Sequence, residues 1–136
     1  MLRKLSHQLA GDLGEQLALA KFISLGFAAY ISPPGAPGHD LMIATPDGAK
    51  SIEVKTRQYL SRPSEIGRWP VDMRTKGDAD YFLFVELNLS TLAPTFYLLT
   101  NSQAHEIHKD YNGTGNCPPH LVRETSVAND FSALSR

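Results

Sequence analysis

Leu9, Leu13, Leu17 and Ala20 recur at spacings of four, four and three residues, so residues 6–25 are predicted to form an amphipathic helix. Gly26 is the stop signal, and Phe27-Ala28-Ala29-Tyr30-Ile31 then reads as a short strand. The segment from Pro33 to Gly38 holds three prolines and two glycines, which suits only an irregular loop. Two strands are predicted next, His39–Thr45 and Lys50–Arg57, joined by the turn residues Pro46-Asp47-Gly48. Residues 58–79 are broken by Pro63, Gly67, Pro70 and Gly77 and are expected to be a long loop with short helical turns at most. Tyr81–Leu87 is apolar at nearly every position, as a central strand covered on both faces should be. Thr95–Thr100 is the next strand, and Asn101 or Ser102 would cap a helix running to about Lys109. A turn-rich stretch, Asn112–Pro119, precedes a short closing helix expected over Ser126–Leu134. The resulting order is an α/β (α+β) chain built on one sheet.

Composition narrows the class without naming it. A chain of 136 residues with 42% hydrophobic and 20% charged positions is expected to fold as a single domain, 1–136, with one core rather than stay disordered. The single cysteine, Cys117, rules out an internal disulfide and a cysteine-rich zinc site, and it reads as structural. The polar residues Ser6, His7 and Gln8 interrupt any signal-like apolar run at the start, and no membrane span is visible, so a soluble cytoplasmic protein is expected. The net charge of −1 argues at first against a nucleic-acid partner. Its distribution reopens the question. From Lys55 to Lys76 six residues are basic and two acidic, whereas from Asp78 onward seven are acidic and three basic. A basic segment in that place could contact phosphates. An ordinary solvated loop would look the same.

Four residues carry the candidate chemistry. Glu15 lies on the helical wheel between Leu19 and Phe22, with Ala18 nearby, on an apolar face where a carboxylate needs a cation, a donor or a metal. Asp40 opens its strand. In the next strand alternation puts Glu53 and Lys55 on one face, with Ile52 and Val54 on the other, toward the core. If the hairpin closes around Asp47-Gly48, Asp40 opposes Lys55 and Met42 opposes Glu53, all four on one face; a three-residue loop would reverse that parity. Carboxylates such as Asp40 and Glu53 are hard oxygen donors suited to Mg²⁺ or Mn²⁺, and Glu15 could complete the shell. Lys55 could orient the attacking water or neutralise phosphate charge. A lone Glu-x-Lys triplet on an amphipathic strand is common, so the reading depends on Glu15 and Asp40.

The succession Gly14-Glu15, Gly38-His39-Asp40 and Ile52-Glu53-Val54-Lys55 resembles the PD-(D/E)XK nuclease superfamily, which includes restriction endonucleases and archaeal Holliday-junction resolvases. The likeness covers residues 11–57, and residues 80–110 only in general layout. It implies a restriction-endonuclease-like core, with a central mixed β-sheet flanked by helices. It also implies a Mg²⁺-dependent hydrolysis of DNA phosphodiester bonds, by an endonuclease or resolvase-like enzyme. In that likeness Asp40 and Glu53 bind the metal with the Val54 carbonyl, Lys55 is the catalytic lysine, and Glu15 is the helix-borne acid. His39 stands where that pattern has proline. The alternative is a catalytically inactive nuclease-fold module that binds nucleic acid or protein. A homodimer would supply the two sites that double-strand cleavage needs.

Lesser candidates remain. Arg57 shares the face of Lys55 and could hold a phosphate. His105 and His108 are spaced as a metal pair or as two surface histidines. Trp69 could stack on a base, although an anchor for the long loop fits it better.

Overall fold

The computed structural model describes residues 3–33, 39–111 and 113–135, apart from the side chains of residues 75, 76 and 111. The expected loop from Pro33 falls outside the described residues from position 34 on, as does Asn112. Helix α1 spans His7–Ser24, and the Ser6 hydroxyl caps it by accepting the Leu9 N–H at 3.2 Å. Strands β1 (Ala29–Ile31), β2 (Leu41–Thr45) and β3 (Gly48–Tyr59) follow. The long connection then contains a 3-10 turn (Pro63–Glu65), β4 (Trp69–Pro70) and α2 (Met73–Lys76). Beyond it lie β5 (Tyr81–Asn88), β6 (Ala93–Thr100), α3 (Asn101–Ile107), β7 (Lys109–Tyr111), β8 (Thr114–Cys117) and α4 (Pro119–Thr125).

Five strands form the central sheet in the order β1-β2-β3-β5-β6. Only β3 and β5 run parallel, so the sheet is mixed. Asp80 fastens the start of that parallel pair, its Oδ2 accepting from Ser51 N at 2.8 Å and Ser51 Oγ at 3.1 Å. A smaller sheet, β4-β8-β7, ties the long connection, through β4, to the strands that follow α3. On one face of the central sheet Leu41, Ile43, Ile52, Val54, Leu83 and Val85 pack with Ala18 and Phe22 of α1. On the other, Phe82, Phe84 and Leu99 meet Trp69, Ile107 and Val122. The fold expected from the sequence, a mixed sheet flanked by helices, is the one observed.

Several details differ. The helix does not bury the Leu9/Leu13/Leu17 stripe; Leu9 is 57% exposed, and the buried line is Ala10, Gly14, Ala18 and Phe22. Small residues win that face because the helix lies close on the sheet. A Cβ on Gly14 would stand 1.8 Å from Thr56 Oγ1. Helix α3 is capped one residue earlier than expected, by Thr100, whose hydroxyl and amide exchange bonds with Gln103. The turn-rich stretch holds β8 and the start of α4, with β7 just before it, and the expected closing helix shrinks to a 3-10 turn over Ser132–Ser135.

The outer edge of β6 is closed by the C-terminal segment. Asn129, at φ 60°, donates its N–H to Phe96 O at 2.7 Å and accepts the Phe96 N–H on its side chain at 3.0 Å. Ser126 Oγ donates to Leu98 O at 2.9 Å, and Pro94 has no N–H to offer. Among the described residues no helix is long and apolar enough to cross a membrane.

Candidate active site

The hairpin between β2 and β3 decides where Asp40 sits. Thr45 pairs with Gly48 across Pro46-Asp47, and Gly48 takes φ 111°, which an L side chain resists. Leu41 consequently pairs with Ile52 and Met42 with Ser51, a shift of two residues from the register expected for closure around Asp47-Gly48. Met42 therefore does not oppose Glu53, and Asp40 does not oppose Lys55. Parity nevertheless survives the shift, because the change is even.

Asp40 itself leaves the ladder. Its N–H donates to Ile52 O at 2.9 Å on one side, while its carbonyl accepts from Ser32 N at 2.8 Å on the other. A regular strand residue would send both groups to the same neighbour. The bend frees the carboxylate to replace a ladder carbonyl: Asp40 Oδ2 accepts the Val54 N–H at 2.8 Å. β2 stops here while β3 continues for seven more residues, to Tyr59.

Glu15 reaches this corner from α1. Burial, a side-chain hydrogen bond to Asp40 and the charge of Asp40 push its carboxyl up to about 8, with Asp12 and Glu53 adding smaller repulsions. Glu15, Asp40 and Glu53, from three separate segments, thus converge. Glu53 is 1% exposed, and its Oε1 lies 3.6 Å from Lys55 Nζ. Lys55 and Arg57 follow Glu53 on the same face of β3, alternating with core-facing Val54 and with Thr56, which lies against Gly14. Among the described residues no group of three or more His, Cys, Asp or Glu side chains is arranged so as to hold a metal ion.

Lys55 also forms part of the wall of a cleft of about 580 Å³, between β3 and the small sheet, that includes Val71, Arg74, His108 and Asp110. Two other sequence candidates resolve as supports of this cleft. His105 Nε2 lies 3.1 Å from Gly77 O, and His108 Nε2 lies 3.1 Å from Val71 O, so each ring is turned to its own carbonyl rather than to a shared ion. Trp69 is fully buried against Phe84, at a ring distance of 5.3 Å, and anchors the long connection instead of facing a base. Cys117 is buried, and burial pushes its thiol up to about 12, well away from reactivity.

The sequence reading missed the pair of buried Glu86 and half-buried Arg123. The Arg123 guanidinium bonds Glu86 Oε2 between β5 and α4, and burial with the charge of Glu86 pushes the neighbouring Tyr97 phenol up. The one signal available was a glutamate inside an otherwise apolar strand.

The five-stranded mixed sheet flanked by helices, with Glu15 and Asp40 at the end of β2, has a likeness among solved structures. One similar solved structure is that of a bacterial homing endonuclease, I-Ssp6803I, which aligns over 73% of this chain and 68% of its own with a TM-score of 0.52 and 22% identity. No protein-family model matches the sequence, and no curated protein sequence does.

Proposed function

We propose that this chain is a divalent-metal-dependent DNA endonuclease of the PD-(D/E)XK type, acting through Glu15, Asp40, Glu53 and Lys55. The observation that carries this reading is the convergence of three carboxyls beside one lysine, at the point where β2 ends. Three acids packed together repel one another, and a proton or a cation must offset that repulsion. The donor set fits Mg²⁺ or Mn²⁺, because carboxylate and carbonyl oxygens are the ligands these ions take. Asp40 and Glu53 would hold the ion. The Val54 carbonyl would join them, since in a strand it points to the same side as the Val54 N–H that Asp40 accepts.

When bound, the ion would acidify a water molecule and offset charge on the phosphate in the transition state. Lys55 holds its ammonium beside Glu53 and faces the cleft, where it would orient the attacking water or neutralise a phosphate oxygen. Glu15 carries its own proton at neutral pH in the metal-free protein and shares it with Asp40, which keeps the corner intact before the cation arrives. The shared fold of the homing endonuclease supports DNA as the substrate class.

The test is to incubate the purified chain with plasmid, single-stranded and branched DNA in Mg²⁺ or Mn²⁺. Cleavage is expected, and Lys55→Ala should lower the rate by about 10²-fold or more without changing the circular dichroism spectrum. Failure to cut any of these substrates, together with no metal binding by calorimetry, would refute the proposal.

A further inference from the structure

β3 outruns β2, so beyond Ile52, where Asp40 Oδ2 accepts the Val54 N–H, its β2-facing edge has no strand partner among the described residues. Along that open edge lie two contiguous cavities. One, of about 250 Å³, is lined by His7, Lys55, Thr56, Arg57 and Trp69; the other, of about 70 Å³, continues past Arg57 and His7 to Lys4. Lys55 borders both the large cleft and the first of these cavities, so the groove starts at the catalytic corner. Its far wall is the chain before α1, tied to β3 by paired bonds between Gln58 and the Leu5 backbone at 2.8 and 2.7 Å.

Basic side chains outnumber acidic ones along this groove, where the Glu65 carboxylate lies in the lining and acts on Lys4. Lys4, His7 and Arg57 line it, and none of them forms an ion pair among the described residues. The acid on the wall, Glu65, is already engaged: its carboxylate accepts the N–H groups of Leu60, Ser61 and Arg62, at 3.1, 2.9 and 2.9 Å. Strand alternation also aims the Thr56 N–H toward the open edge, as it does those of Ile52 and Val54. Lys55 and Arg57 are two residues apart on one face, about 6.6 Å along the strand, a step comparable with that between neighbouring phosphates of one nucleic-acid strand.

We infer that the open edge of β3 is a phosphate track, which holds the backbone of one DNA strand leading away from the scissile bond past Lys55, then Arg57 and His7, to Lys4. The inference rests on the nuclease reading above and adds the path of the substrate. Sequence-independent recognition follows, since Lys55, Arg57 and Lys4 contact phosphates, which carry no base information.

The experiment measures binding of a fluorescein-labelled random-sequence duplex by anisotropy, in EDTA to prevent cleavage, over a series of salt concentrations. Each lost phosphate contact should flatten the log–log salt slope by about 0.9, so Lys4→Ala combined with Arg57→Ala should flatten it by about 1.8. Arg57→Lys should restore most of the Arg57 share. An unchanged slope in the folded double variant would overturn the track. If the wild-type chain binds no duplex at any salt concentration, the nuclease reading falls too, which separates the two failures.

Discussion

One proton stands in the corner made by Glu15, Asp40 and Glu53, and its effect on stability has a definite sign. The folded carboxyl of Glu15 binds its proton up to about 8, whereas an unfolded one releases it near the ordinary 4.5. Between those values the folded chain holds more protons than the unfolded one, so metal-free stability falls as pH rises from about 5 to 8. Glu15→Gln should remove most of that slope and leave the protein more stable than wild type at pH 8, measured by urea midpoints across the window. A slope unchanged by the substitution would mean that the proton resides elsewhere. At this scale Glu53 and Lys55 were legible from alternation alone, and Glu15 from its apolar surroundings. Asp40 was not. Its position depends on a two-residue turn with Gly48 in the left-handed region and on a bend that sends its amide and carbonyl to opposite neighbours. Neither leaves a trace in hydrophobic pattern.

The site depends on two contacts between elements, each of which one substitution would break. Gly14 lets α1 lie on Thr56 of β3, and the next residue on the helix is Glu15. Gly14→Ala improves the helix intrinsically, but the added methyl meets the Thr56 side chain. A net loss of about 1–3 kcal/mol is expected from thermal or urea unfolding, with reduced cleavage because Glu15 moves with the helix. On the opposite face, Arg123 ties α4 to Glu86 in the centre of β5. Arg123→Ala leaves that carboxylate buried and should cost about 3–5 kcal/mol, whereas replacing both by apolar residues should cost much less. The long strands and α1 were readable because their periodicity is set by burial against a single core. The small sheet and α4 were not: β4, β7 and β8 are two to four residues long, too short to show a periodic pattern, and β4 pairs with β8 from far away in sequence. His105 and His108 belong to the same lesson, since their partners are carbonyls of a connection some thirty residues upstream.

For the molecule as a whole, metal binding and folding should be linked. An ion that binds the folded acidic corner and not the unfolded chain stabilises by about 2.7 kcal/mol at a hundredfold excess over Kd. Mn²⁺ should therefore raise the thermal midpoint of the wild type and leave that of Glu53→Ala unmoved, provided the variant folds; equal shifts in both would place the ion elsewhere. The treatment of the two sheet edges has a consequence of a different kind. Asn129 and Ser126 occupy the hydrogen-bonding positions that a sixth strand would use beside β6, whereas β1, with Tyr30 and Ile31 exposed, has no such cover among the described residues. A sheet sealed on one margin can be extended from the other margin alone. Two copies joined strand to strand through β1 would use up both open margins across a two-fold axis, and growth would end there. Pairing through the central sheet in this way would close on itself instead of propagating.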